Sequence, residues 1–519
     1  MVRKKGHKLN AGLFRDDSTT ASEYFWLFSV SFGVSLLGMV FTQSEDIGVF
    51  ITVSSLIGKG YSLYADIFDI KDPLFFYSLA LVQKLFGITG LFIFDSLVTA
   101  FTFPIAFAIG IKLGINRISS FFSATLFFLI LTGTFGGSLR SQILGIVFFL
   151  LLTLMLIERK WFSVGVYLIL IFFTKMPMVI VALSVIAPFL FLSLKIQFLS
   201  RFCAGILTTT AFITLILQIR GELEGYIEMV IENFTYAANY QLIVGQRQGI
   251  LGHFEIWNGT ENRFVSFLFA LIVILALRGG IRPKNFELLS LCLGVNVGVS
   301  IYLLTTAMWP HHLQLISLYI FFDFMFLLAV LNPVDSKMLQ KSSKFVKLPN
   351  NILDKLNVRA CITLFALIAL ISNSGWVLPL KPEMPIASYF KHSWAKPVEI
   401  SMLEKARENL PLGGSFARLG MNDDMGFGAF LESDWQFKCS RFMMGGSESV
   451  KTIDKYLNCI REVPDVIITA PFYQSQKNRP GNYRFFYVRS ERILSELFTC
   501  TPGPTEGYTY CLRKIATKN

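Results

Sequence analysis

The sequence predicts a mainly α fold: a polytopic transmembrane helical bundle of about eleven spans with a small C-terminal α/β domain. Three observations predict it. Of the 519 residues, 53% are hydrophobic and 16% are charged, whereas a soluble domain carries roughly 25% charged residues. The apolar residues gather in runs of about the twenty residues that cross a bilayer. The basic residues fall in short clusters between those runs. The composition excludes an ordinary soluble enzyme, and 52 Phe and 17 Tyr exclude a disordered chain. A net charge of +12 in a soluble protein would suggest a nucleic-acid partner. Spread between apolar runs, it instead orients a protein in the lipid bilayer, and no nucleic acid is expected.

The first run, Tyr24 to Thr42, follows Arg3, Lys4, Lys5, Lys8 and Arg15 and has no small-residue cleavage site, so a retained helix is expected. Further spans are expected near 91–112, 118–134, 142–157, 161–174, 177–194, 203–219, 264–278, 286–307, 313–332 and 359–376. The segment 46–86 is different. Asp46–Ile57 mixes apolar and small residues and ends at Gly58 and Gly60. Leu74–Phe86, at about 13 residues, is too short to span. Both are expected as juxtamembrane helices on the outer membrane surface.

Charge fixes the orientation. With the N-terminus cytoplasmic, the inner loops carry Lys112 and Arg117, Arg159 and Lys160, Lys195 and Arg201, Arg278, Arg282 and Lys284, and the cluster from Lys337 to Arg359. The opposite loops carry Glu45, Asp46, Asp66, Asp69 and Asp72, then Glu222, Glu224, Glu228 and Glu232. This is the positive-inside pattern, and an odd number of spans exports the C-terminal region. The transmembrane domain is therefore 1–376 and the exported, periplasmic domain 377–519, in a multi-pass bacterial inner-membrane protein. In the exported part 448–462 and 488–498 read as helices and Val466–Thr469 as a strand. Cys203, Cys292 and Cys361 sit singly in apolar runs, but Cys439, Cys459, Cys500 and Cys511 share the polar last quarter. Four cysteines in one exported domain imply two disulfides. Of the three possible connectivities, Cys439–Cys459 and Cys500–Cys511 join nearest neighbours.

The same topology brings Asp46, Asp66, Asp69, Lys71, Arg140, Gln142, Lys175, Trp309, His311 and His312 to one side of the membrane, each at the outer end of an apolar helix. A site that handles an anionic head group needs a carboxylate to take a proton and cations to hold phosphate. Plainer roles compete. Asp46 reads equally as an N-cap and Lys175 equally as a snorkelling lysine, while Lys71 has snorkelling as its plainer alternative. Asp72 reads as a solvated loop acid. His311 and His312 have no third ligand at metal-binding spacing. Asp323 lies mid-helix, where an acid is costly unless paired or protonated.

The residues Asp46-Ile47-Gly48-Val49-Phe50, Gly60, Tyr64, Phe68-Asp69-Ile70-Lys71-Asp72-Pro73 and Phe86-Gly87 resemble the first outer loop of bacterial glycosyltransferases of the C superfamily. That group includes protein mannosyltransferases and the lipid A aminoarabinose transferase. Lys175, the Trp309-Pro310-His311-His312 step and a soluble C-terminal domain match as well. The resemblance implies inverting transfer of a sugar from a polyprenyl-phosphate-linked donor to a hydroxyl on a glycan, lipid or protein acceptor. Asp46 would be the general base and Lys71 would grip the donor phosphate, beside at least one of Arg140, Lys175 or His312. Tyr64, Asp66, Asp69, Gln142, Trp309 and His311 complete the candidate site. A divalent cation is the one cofactor left open. Ile47 replaces the family's usual Glu, Asp72 the first Pro of a Pro-Pro pair, and Ser141-Gln142 stands where relatives often carry an acid. The rival function is a transporter or flippase of a lipid-linked saccharide. Such proteins favour repeats and broken helices with polar groups near the midplane, and this sequence has no internal repeat.

Overall fold

The computed structural model describes residues 21–41, 47–69, 71–133, 140–192, 196–243, 283–305, 314–331, 397–419, 430, 433–441, 449–469, 473–474, 476–478, 482–503 and 507–514. Its helices follow the apolar runs: α1 (Ala21–Phe41), α2 (Ile47–Gly58), α3 (Pro73–Lys112), α4 (Arg117–Gly133), α5 (Ser141–Ile157), α6 (Trp161–Phe172), α7 (Val179–Leu192), α8 (Ile196–Ile219), α9 (Leu223–Ile243), α10 (Pro283–Thr305) and α11 (Ile316–Leu331). Pro73–Lys112 and Ile196–Ile219 are long and apolar enough to cross a membrane, and seven further described helices are apolar over 10–17 residues. The expected spans at 264–278 and 359–376 lie outside the described residues.

The forty residues of α3 are two helices joined at Gly87, whose φ of 70° and ψ of −169° break the helical path. Only glycine adopts this backbone cheaply, so the short apolar stretch and the following span are distinct pieces, as their lengths require. The second piece packs with α1, α4–α7, α10 and α11 in one core containing Phe103, Phe127, Phe149, Trp161, Val185 and Phe321. Within it Asp323 accepts a hydrogen bond from Asn296 Nδ2 at 2.7 Å, which pairs the mid-helix acid. The first piece of α3 packs against α2 and α9 in a second core. Helix α2 is buried along most of its length, including Val49, Phe50, Ile51, Val53 and Leu56, so protein rather than solvent covers it.

The C-terminal part adds α12 (Pro397–Asn409), α13 (Val450–Glu462) and α14 (Asn482–Leu497). It also carries the strands β2 (Ser415–Leu419), β3 (Gln436–Phe437), β4 (Ser440–Arg441), β5 (Val466–Thr469), β6 (Phe498–Pro502) and β7 (Thr509–Arg513). Five of them form one sheet in the order β3-β2-β5-β7-β6, parallel across β3, β2 and β5 and antiparallel across β5, β7 and β6. Strand side chains alternate faces. Phe416, Val466, Ile468 and Tyr510 therefore join the core that contains α2, while Ala417, Leu419, Ile467 and Cys511 pack beneath α13 and α14. Disulfides join Cys439 to Cys459 and Cys500 to Cys511. The second links register partners on β6 and β7, a placement that the spacing of two cysteines in a hairpin permits.

Strand β1 (Ile67–Phe68) connects the two parts. It lies in the connection between α2 and α3 and pairs in parallel with β4, Ile67 opposite Ser440 and Phe68 opposite Arg441. Helix α9 supplies a second contact. Glu232 accepts a hydrogen bond from Ser449 N at 2.7 Å, and Lys455 Nζ meets both oxygens of Glu228 at 2.7 and 2.8 Å.

Candidate active site

The site is built on the connection from Lys59 to Asp72, which folds as a compact loop because each turn of it finds a polar partner. Tyr64 stands at φ 68°, a conformation costly for a side chain that large. Its surroundings hold it there: the hydroxyl donates to the Lys71 carbonyl at 2.6 Å, and the ring lies 5.6 Å from that of Tyr226. Gly225 of α9 permits this approach, since a Cβ there would lie 2.7 Å from the Tyr64 carbonyl oxygen. Burial pushes the Tyr64 phenol well above its ordinary value, with Asp72 adding to the effect, so it acts as a fixed hydrogen-bond donor.

Asp69 is fully buried and its Oδ1 accepts the Lys71 amide at 2.9 Å, a turn that folds residue 71 back over residue 69. The Lys71 ammonium is 3.9 Å from the same oxygen and 4.9 Å from the centre of the Phe50 ring. Held between a carboxylate and an aromatic face, with 21% of the side chain exposed, this lysine is placed rather than free in solvent. Asp66 lies on the outside of the loop, where it accepts the Ser62 amide at 2.8 Å.

Asp72 is not the solvated acid expected from the sequence. It is only 4% exposed, and its Oδ2 accepts the Met176 amide at 2.9 Å. Two residues on, the Leu74 amide donates to the Phe173 carbonyl at 2.9 Å. The loop thus rests on the turn 173–176 after α6, and Lys175 lies inside that turn. Burial pushes the Asp72 carboxyl up to about 7, while the Met176 amide and the Lys175 charge pull it down. The turn also meets α5: a Cβ at Gly145 would lie 3.6 Å from Lys175 Cβ and 2.6 Å from Met178 Sδ. Arg140, buried at the N-terminal boundary of α5, is five residues before Gly145, about 7.5 Å along the axis at 1.5 Å per residue. Gln142, also buried, meets the Tyr302 side chain of α10.

The structure therefore joins Tyr64, Asp69, Lys71, Asp72 and Lys175 in one contact region and sets Arg140 and Gln142 on the helix that borders it. Asp46, Trp309, His311 and His312 lie outside the described residues. Among the described residues no group of three or more His, Cys, Asp or Glu could hold a metal ion. Glu222, Tyr77 and Arg220 belong to the region's support and carried no signal of it in the sequence. The Glu222 carboxylate takes the Leu63 amide at 2.9 Å, the Tyr77 hydroxyl, and Arg220 Nε at 2.9 Å, tying the loop to α3 and to the end of α8.

The helical bundle, with an α/β unit paired to the connection between α2 and α3, is a fold shared with a solved membrane-protein structure. One matching solved structure is ArnT from Cupriavidus metallidurans bound to undecaprenyl phosphate, with a TM-score of 0.54 and 12% sequence identity over 96% of this chain and 99% of that one. No family model and no curated protein matches the sequence.

Proposed function

We propose that the chain is an inverting glycosyltransferase of the bacterial inner membrane. It takes a sugar from a polyprenyl-phosphate-linked donor and transfers it to a hydroxyl acceptor of the cell envelope, a glycan, lipid or protein, at the periplasmic face. The observation that carries this reading is the joint between the loop bearing Lys71 and the turn bearing Lys175, in a fold shared with a protein solved with undecaprenyl phosphate bound.

The chemistry divides into two tasks. An acceptor hydroxyl must lose its proton as it attacks the anomeric carbon, and Asp46 is the base assigned to it. The bond between the anomeric carbon and the phosphate oxygen breaks, its electrons stay with the phosphate, and the configuration inverts. A phosphate leaving group is already ionised, so it needs fixed positive charge rather than a proton. Lys71 and Lys175 supply that charge, with Arg140 at the border and His312 as a further candidate. Asp69 and Phe50 hold the Lys71 ammonium in place before the lipid arrives.

The test is sugar transfer by the full-length protein in liposomes containing polyprenyl-phosphate-linked sugars. Lys71→Ala should lower donor use roughly a hundredfold, the scale of losing one transition-state charge contact, with normal protein accumulation. Unchanged transfer by that variant would remove Lys71 from the phosphate site and with it the main support for this reading.

A further inference from the structure

We propose that Asp72 is a positioning residue for the donor: it locks the backbone carrying Lys175 against the backbone carrying Lys71, so that both ammonium groups meet one phosphate. The inference rests on the assignment of those two lysines to the donor phosphate.

Asp72 immediately precedes α3 and has an extended backbone, φ −72° and ψ 150°. An aspartate there ordinarily caps its own helix by accepting an amide of the first turn. This one makes no such bond. Its Oδ2 instead accepts the amide of Met176, 104 residues away, at 2.9 Å. The helix start has another device in Pro73, which suits the first helical position. The side chain is therefore committed to the joint and not to the helix.

The joint has two bonds, Met176 N to Asp72 Oδ2 and Leu74 N to the Phe173 oxygen, each 2.9 Å. Lys71 is the residue before Asp72, and Lys175 the residue before Met176. Each lysine is thus one residue from a pinned atom, and the separation of their backbones is set before any ligand binds. Two long side chains on unconnected loops would have to be ordered by the ligand, which weakens binding. Asp72 Oδ1 is buried with no hydrogen-bond partner among the described residues. Leaving an acceptor in that state is costly, and a cap exposed to solvent would avoid the cost. A site that needs the Met176 contact accounts for its retention.

The experiment measures binding of undecaprenyl phosphate to the full-length protein in nanodiscs, with thermal unfolding recorded for every variant. Asp72→Asn keeps an oxygen for the Met176 amide and should bind within about twofold of the wild type. Asp72→Ala should bind roughly tenfold more weakly, on the scale of lost preorganisation. The double variant Asp72→Ala/Lys175→Ala should bind no more weakly than Lys175→Ala alone, because a residue acting through Lys175 adds nothing once that lysine is gone. If Asp72→Ala does not accumulate, Met176→Pro removes the donor from the other end of the bond and should weaken binding by the same factor. Normal binding by Asp72→Ala or Met176→Pro beside weak binding by Lys175→Ala would overturn the inference alone. An additive loss in the double variant, or an Asn variant as weak as Ala, would do the same. Normal binding by both Lys71→Ala and Lys175→Ala would overturn the phosphate assignment itself, and this inference with it.

Discussion

Gly225→Ala should displace the loop that carries Lys71 and reduce transfer without touching any reacting group. A Cβ at residue 225 would lie 2.7 Å from the Tyr64 carbonyl oxygen and 2.8 Å from Tyr64 Cβ, where ordinary contact begins near 3.4 Å. The two backbones must then separate by about 0.7 Å. Neither yields easily: residue 225 is in the first turns of α9, and Tyr64 is fixed at φ 68° with its hydroxyl on the Lys71 carbonyl. Overpacking of this kind costs about 1–3 kcal/mol. A shift approaching 1 Å in a substrate-positioning group costs up to about a hundredfold in rate. The expected result is a roughly ten- to hundredfold fall in transfer, with a lowered thermal midpoint. Release of polyprenyl phosphate from the sugar donor by purified full-length protein reads the first, and circular dichroism on heating reads the second. A variant with half or more of the wild-type rate and an unchanged midpoint would show that this contact does not set the loop.

Asp72 makes stability depend on pH. Burial lifts its carboxyl from the ordinary 3.8 to about 7, so the folded chain keeps a proton that the unfolded chain has released between those values. The contribution of this group is full below about pH 4, falls as pH rises and levels off above about 7. Asp72→Asn removes this group's share of the slope, so its thermal midpoint should gain on the wild type from pH 4 to 7; parallel curves would contradict the burial. Opening the Cys439–Cys459 bond, which closes a separation of 20 residues, with a Cys459→Ala/Cys439→Ser pair should cost about 3 kcal/mol by loop entropy. It should also loosen β4 from β1 and reduce transfer. Unfolding by denaturant and the transfer assay check both parts, and an unchanged rate would separate the C-terminal sheet from the site.

Hydropathy made the helices legible because a helix that faces lipid or core must carry its apolar residues in one long run. The break at Gly87 was legible for the same reason: thirteen apolar residues cannot cross the bilayer that the following run can. Strand β5 stood out as Val466-Ile467-Ile468-Thr469 between polar turns, and the cysteine pairs were near enough in sequence to be paired by proximity. Long-range polar contacts were not legible. Nothing local in the sequence tells that Asp72 will meet the amide of Met176, because the donor is a backbone group and carries no residue signature. Glu222 read only as one of several acids in a loop. Its place beneath Leu63, against Tyr77 and Arg220, depends on how α3, α8 and α9 converge. The docking of the C-terminal sheet was hidden too. The continuous apolar run of β5 suggests that both faces are covered, but not that Val466 and Ile468 share a core with α2.

The central claim is that a single carboxylate, Asp46, takes the acceptor's proton while fixed cations hold the departing phosphate. Asp46→Asn tests it most directly, since asparagine keeps the size and capping ability of aspartate and loses only the proton acceptor. Sugar transfer from a polyprenyl-phosphate donor should fall roughly a hundredfold or more in this variant, with normal protein levels and undiminished binding of undecaprenyl phosphate. Near-normal transfer would contradict the account, reduce Asp46 to a helix cap and put a transporter of lipid-linked saccharide ahead.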